Sequence, residues 1–165
     1  MLDRRVSGSS REKGPLAFGI ADRDENDRPR ASAQGDPDRK TLQPLRVLVV
    51  EDEFLAAITT ADMLRDAGYD VIGPARSAAE ARRLVQQHEP DVALMDIQLA
   101  GAADGVDAAI DLFRTFGVRS IFVTAHSDRL TRERAAAARP LSWVAKPYSD
   151  DQLLRALRLA ADELG

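Results

Sequence analysis

The sequence predicts an α/β fold, a parallel sheet of five strands alternating with five helices, and two observations carry the prediction. After Pro44, short apolar runs alternate with segments of helical period, the pattern of βαβ units. Four of the apolar runs also stop on polar residues. Arg46-Val47-Leu48-Val49-Val50 stops at Glu51-Asp52-Glu53, Asp91-Val92-Ala93-Leu94-Met95 at Asp96, Ile121-Phe122-Val123 at Thr124, and Leu141-Ser142-Trp143-Val144-Ala145 at Lys146-Pro147. In a parallel sheet the carboxyl ends of all strands lie on one edge, where ligands of open α/β folds bind. Chain order therefore gathers carboxylates, a hydroxyl and an ammonium into one place.

Each element follows from the local pattern. After the first strand, Phe54, Ile58, Ala61 and Leu64 predict the inward face of a first helix, with Gly68 available to close it. A second strand is expected at about 70–75. Ser77-Ala78-Ala79-Glu80 reads as a capping box opening a second helix with Ala81, Leu84 and Val85 inward. The third strand ends at Asp96. Following a loop over 97–104, Val106, Ala109, Ile110 and Phe113 stripe a third helix. The fourth strand ends at Thr124, and a fourth helix over about 128–138 is rich in Ala and Arg with a weak apolar stripe, so its docking is expected to be the least secure. The fifth strand reaches Lys146. Ser149-Asp150-Asp151-Gln152 then caps a last helix with Leu153, Leu157 and Ala160 on one face. These repeats run to residue 165, so a single domain over 44–165 is expected.

Residues 1–43 mix Gly, Ser, Pro, Asp and Arg without apolar period and cannot bury enough surface to offset ordering entropy. They read as a disordered N-terminal extension, with a partner-binding arm as the functional alternative. Residues 44–165 form the domain. From Leu45 onward there are fourteen basic and nineteen acidic groups, a balance of −5. An acidic domain with no basic stripe is a poor candidate for nucleic acid or an anionic membrane. No apolar run reaches the roughly 18 residues needed to span a bilayer, so a cytoplasmic protein is expected. The absence of Cys excludes disulfide scaffolds, thiol catalysis and Cys-based zinc sites.

A carboxylate cluster without Cys or a usefully placed His favours a hard, oxygen-seeking cation such as Mg2+, and Lys with Thr beside it suits phosphoryl oxygens. Thirteen of the fourteen basic residues after Pro44 are Arg; Lys146 is the exception. A lone Lys at a strand end points to a compact charge where a guanidinium fork would not fit. Alternatives remain for each residue alone: Glu51-Asp52-Glu53 as the acidic first turn of a helix, Thr124 as a strand terminus, Lys146 as a surface charge.

Residues 45–164 resemble a response-regulator receiver domain of two-component signalling. The resemblance rests on Glu51-Asp52, Asp96, Thr124-Ala125 and Lys146-Pro147 after the first, third, fourth and fifth strands of a five-fold βα pattern. It implies a flavodoxin-like (βα)5 fold, doubly wound, with strand order 2-1-3-4-5, and transient phosphorylation of Asp96. By the same resemblance Mg2+ is bound by Asp52, Asp96 and the backbone carbonyl of Gln98, with Glu51 acting through a water. Lys146 would pair with Asp96 at rest and with a phosphoryl oxygen afterwards, while the Thr124 hydroxyl and the Ala125 N–H would bind the others. Trp143 matches the family's aromatic switch position, with a plain core residue as the alternative. His126 and Gln98 match positions that tune hydrolysis, and His88 reads as a packed or C-terminal residue of the second helix. The chain departs from the common pattern in lacking the Pro after Asp96, in a loop over 97–105 that looks one residue longer, and in Arg139-Pro140 where Gly is usual before the fifth strand.

The implied function is that of a single-domain response regulator. It would accept a phosphoryl group on Asp96 from a sensor histidine kinase or His phosphotransfer protein, lose it by self-catalysed hydrolysis, and not act as an enzyme on free substrates. The signal would leave by contact with a downstream protein or by phosphorelay, with homodimerisation possible through the face of the fourth helix, fifth strand and last helix. One alternative is a pseudo-receiver, an interaction module that does not cycle phosphate. Another is a Mg2+-dependent phosphohydrolase, which would want a second acid where Gln98 stands.

Overall fold

The computed structural model describes residues 44–165 apart from 102, 126 and 127. The disordered extension expected over 1–43 and the role considered for His126 lie outside the described residues. The elements are β1 (Arg46–Val50), α1 (Phe54–Asp66), β2 (Asp70–Ala75), α2 (Ala78–His88), β3 (Val92–Asp96), α3 (Gly105–Phe116), β4 (Arg119–Thr124), α4 (Arg129–Ala135), β5 (Ser142–Ala145) and α5 (Asp150–Leu164). A 3-10 turn over Ala136–Ala138 extends α4. The strands form one parallel sheet in the order β2-β1-β3-β4-β5, as expected.

Alternation along the strands divides the core into two layers. Leu48, Val50, Ala93, Met95 and Phe122 face α2, α3 and the end of α4. Val47, Val49, Leu94, Ile121 and Val123 face α1 and α5. The central strands β1, β3 and β4 are buried almost throughout, because helices cover both faces. Truncating a fully buried anchor such as Phe122 or Leu48 to Ala would cost about 3–5 kcal/mol.

The helix faces correct two expectations. On α1 the buried residues are Ala57, Ala61 and Leu64, whereas Phe54 and Ile58, expected inward, are 58% and 37% exposed. Two small side chains let the helix lie close to the sheet, and the large ones turn outward near its start. On α3 the buried set is Val106, Ala108, Ala109 and Leu112, with Ile110 and Phe113 only half-buried. The expected stripe was thus rotated slightly from the buried one.

Caps are close to expectation. Gly68 follows the end of α1 with φ 89, the left-handed conformation a glycine takes without penalty. Ser77 Oγ accepts from Glu80 N at 3.2 Å, but the Glu80 carboxylate accepts from Arg76 N at 2.9 Å, one residue before the cap. Ser149 and Gln152 make the complete reciprocal box. His88 is the last residue of α2 and exposed, so of the two readings offered it is C-terminal and not packed. Arg139 has φ 48, a left-handed conformation that costs a side-chain-bearing residue about 1 kcal/mol. Among the described residues no helix is long and apolar enough to cross a membrane.

Candidate functional site

Strand register places the polar strand endings beside one another. Val50 pairs with Met95 across β1 and β3, so Glu51 follows in line with Asp96. Asp96 pairs with Val123, which puts Thr124 one residue beyond it. Thr124 pairs with Ala145, so Lys146 stands one further step along the same edge. The Lys146 N–H donates to the Thr124 carbonyl at 2.9 Å, extending the ladder to the lysine itself. Glu51, Asp52, Asp96, Gln98, Ala125 and Lys146 line an open cleft of about 560 Å3.

Lys146 is held by two acids. Its Nζ donates to Asp96 Oδ2 at 2.7 Å, the pairing the sequence led us to expect, and also to Glu51 Oε2 at 2.5 Å. The second partner was not foreseen. Burial lowers the affinity of the Lys146 amine for its proton, but the hydrogen bonds and charges of Asp96 and Glu51 outweigh it and hold the pKa above its ordinary value. For Glu51, burial is the largest cause and pushes the carboxyl above the ordinary carboxylate range. Asp96 adds to that rise, while Lys146 and the Glu53 N–H pull back. The site is therefore crowded with negative charge that one ammonium does not fully answer.

The other contacts fix the acids. Asp96 Oδ1 accepts from Gln98 N at 3.0 Å, Glu51 Oε1 from Glu53 N at 3.2 Å, and Asp52 Oδ2 from Ala100 N at 3.0 Å. Asp52 thereby ties the start of α1 to the loop after β3. Glu51, Asp96 and Thr124 are buried at 8%, 7% and 3% exposure, while Asp52 is half-buried and Gln98 and Ala125 are exposed. Glu51, Asp52 and Asp96 each offer an oxygen, all within 4.8 Å of one another. Such a hard, all-oxygen set suits Mg2+, which keeps several waters and needs few protein ligands.

Sequence reasoning missed Gly105. A Cβ there would lie 1.8 Å from the Asp96 carbonyl oxygen, so the start of α3 can rest on the backbone of Asp96 only with a glycine in that place. The Gly105 N–H donates to the Ile97 carbonyl at 2.9 Å, and Asp104 caps α3 by accepting from Val106 and Asp107 N, both at 3.0 Å. Arg134 of α4 forms an ion pair with Asp104. Trp143 lies on the sheet face shared by Phe122 and Thr124. Its ring stacks on Phe122 with centroids 4.6 Å apart, and the Arg132 guanidinium covers it at 4.7 Å. The ring is half-buried, packed against the core yet reachable from α4.

The family profile of the response regulator receiver domain matches residues 47–158. The transcriptional regulatory protein PdtaR of Mycobacterium tuberculosis is 37% identical over 123 residues, 74% of this chain and 60% of PdtaR. The phyllosphere-induced regulator PhyR of Methylorubrum extorquens is 40% identical over 104 residues, 62% of this chain and 38% of PhyR. The chain thus spans less than two thirds of either relative's length. Among solved structures, the signal receiver domain of a modulated diguanylate cyclase from Desulfovibrio desulfuricans G20 superposes with a TM-score of 0.69 at 38% identity, covering 74% of this chain and 97% of that one.

Proposed function

Because the chain belongs to the response regulator receiver family, we propose that it accepts a phosphoryl group on Asp96 and holds it transiently as a signal. The observation that carries this reading is the convergence at the sheet edge: an ammonium 2.7 Å from the Asp96 carboxylate, within a cluster of three acids. Asp96 would attack phosphorus as the P–N bond to a donor histidine breaks, the electron pair leaving with the imidazole nitrogen. Lys146 answers the charge on one phosphoryl oxygen, and the Thr124 hydroxyl and Ala125 N–H receive the others. Water attack on phosphorus would later return the Asp96 carboxylate and release phosphate.

The acids and the Gln98 carbonyl would hold Mg2+, with Glu51 acting through a water; the ion, when bound, neutralises charge on the phosphoryl oxygens. A sensor histidine kinase or His phosphotransfer protein is the proposed donor, and a cytoplasmic location goes with it. The exposed Phe54, Leu55 and Ile58 beside the acid pair give such a protein an apolar surface to meet. Output would pass through α4, β5 and α5 to a downstream protein, a second copy or a further phosphotransfer partner, since α4 buries only Ala135 and so moves at little cost.

Incubation with Mg2+ and acetyl phosphate, followed by intact mass, tests the reading. One phosphoryl adduct that forms and then decays is expected. No adduct would indicate an interaction module that does not cycle phosphate, and sustained consumption of donor without an adduct would indicate a hydrolase.

A further inference from the structure

Two residues after Lys146, the half-buried Tyr148 reaches across to α1, where its hydroxyl shares a hydrogen bond of 3.0 Å with Thr60 Oγ1. The two partners are 88 residues apart in sequence. Their bond joins the same two segments as the Lys146–Glu51 ion pair, because α1 begins just after the acids of β1 and Tyr148 lies in the loop that carries the lysine. The two side chains, with Glu51 and Asp96, line a cavity of about 10 Å3 under the site, at the lower limit for a single water. The floor of the acid cluster is therefore a hydroxyl pair in a tightly filled place.

A lysine ammonium rides on four rotatable bonds and is only as well placed as the backbone that bears it. On one side the Lys146 backbone is fixed by its N–H to the Thr124 carbonyl at 2.9 Å. On the other, Lys146 is followed by Pro147 and then by the anchored Tyr148. Building on the acceptor reading above, we propose that Tyr148 and Thr60 are positioning residues for Lys146. Their shared hydrogen bond holds the loop against α1 so that the ammonium spans Glu51 and Asp96 and meets a phosphoryl oxygen as it arrives. Neither residue touches the phosphoryl group. Removing the bond leaves every charge in the site in place and loosens only where the lysine stands.

The test is the rate of adduct formation by the full chain with acetyl phosphate and saturating Mg2+, well below the melting temperature, in wild type, Tyr148→Phe, Thr60→Val, the double variant and Thr60→Ser. Tyr148→Phe keeps the ring and its packing. Each single hydroxyl deletion is expected to slow phosphorylation about three- to tenfold, the range one lost hydrogen bond supports. The double variant should be no slower than either single one, and Thr60→Ser should retain the wild-type rate. In protein labelled at lysine, the Lys146 methylene signal, one of three, should shift in Tyr148→Phe. Wild-type rates in both single variants with an unmoved Lys146 signal would overturn the proposal even if melting temperature fell, since the bond would then serve the fold alone. Effects that multiply in the double variant would overturn it too. A wild type that takes up no phosphoryl group would remove the acceptor reading and this inference with it, whereas a phosphorylated wild type with indifferent variants would remove this inference only.

Discussion

At the scale of the residue, the account turns on how one ammonium is divided among several acids. That Lys146 shares an edge with Asp96 was legible because each ends an apolar run in a parallel sheet, and that the two pair was what the family resemblance implied. The pairing of Lys146 with Glu51 was not legible, since spacing along a chain says nothing of where a flexible stem swings. Asp52 is bound instead by Ala100 N, a contact Asn can also make. Asp52→Asn should therefore raise the melting temperature without metal, by about 3 °C for each ~1 kcal/mol of relieved repulsion. The same variant should lose the upward shift that Mg2+ gives wild type by binding the native state. An identical shift in both proteins would place the ion elsewhere. Gly105 offers a second test, because its missing Cβ is what lets α3 rest on Asp96. Gly105→Ala should destabilise by about 3 kcal/mol through overpacking against backbone, measured by urea unfolding; a loss under 1 kcal/mol would mean that α3 seats without needing the glycine. The sequence hint was a helix-weakening glycine directly after the cap Asp104.

At the scale of the element, the strand boundaries were readable because buried parallel strands are continuous apolar runs, and the Ser77 and Ser149 caps because Ser with Glu or Gln three residues on is a helix-start signature. Helix faces were less so. On α1 the reading rightly placed Ala61 and Leu64 inward but also took the large Phe54 and Ile58, where close approach to the sheet selected Ala57. The short α4 is secured largely by polar contacts, with Arg134 paired to Asp104 and Arg132 over Trp143. Burial pushes the Asp104 carboxyl up, but the hydrogen bond from Asp107 N and the Arg134 guanidinium outweigh it and hold the pKa below the usual value of 3.8. A depressed carboxyl contributes stability that is present above its unfolded pKa and lost as pH falls through the folded one. Arg134→Gln should thus lower stability by about 0.5 kcal/mol at neutral pH, as befits a partly exposed pair, and the gap from wild type should close as pH drops below 3.8. Asp104→Ala, which also removes the cap, should cost about 1–2 kcal/mol. Thermal melts between pH 2.5 and about 7 check both; a gap that persists in strong acid would show that Arg134 acts through packing.

At the scale of the whole molecule, five βα repeats place residues from four strands on one edge, and the sheet order β2-β1-β3-β4-β5 sets β1, β3 and β4 side by side so that Glu51, Asp96 and Thr124 are neighbours. That much was legible because topology, not detail, makes the site. The Thr60–Tyr148 bond was not, since neither residue belongs to a strand ending. The central claim is that this edge makes Asp96 the phosphoryl acceptor. Borohydride trapping tests it most directly, because reduction converts an aspartyl phosphate to homoserine that peptide mass mapping can locate. After exposure to Mg2+ and acetyl phosphate, the account predicts homoserine at position 96 in wild type and none in Asp96→Asn; homoserine at another acid, or labelling of equal yield in Asp96→Asn, would contradict it.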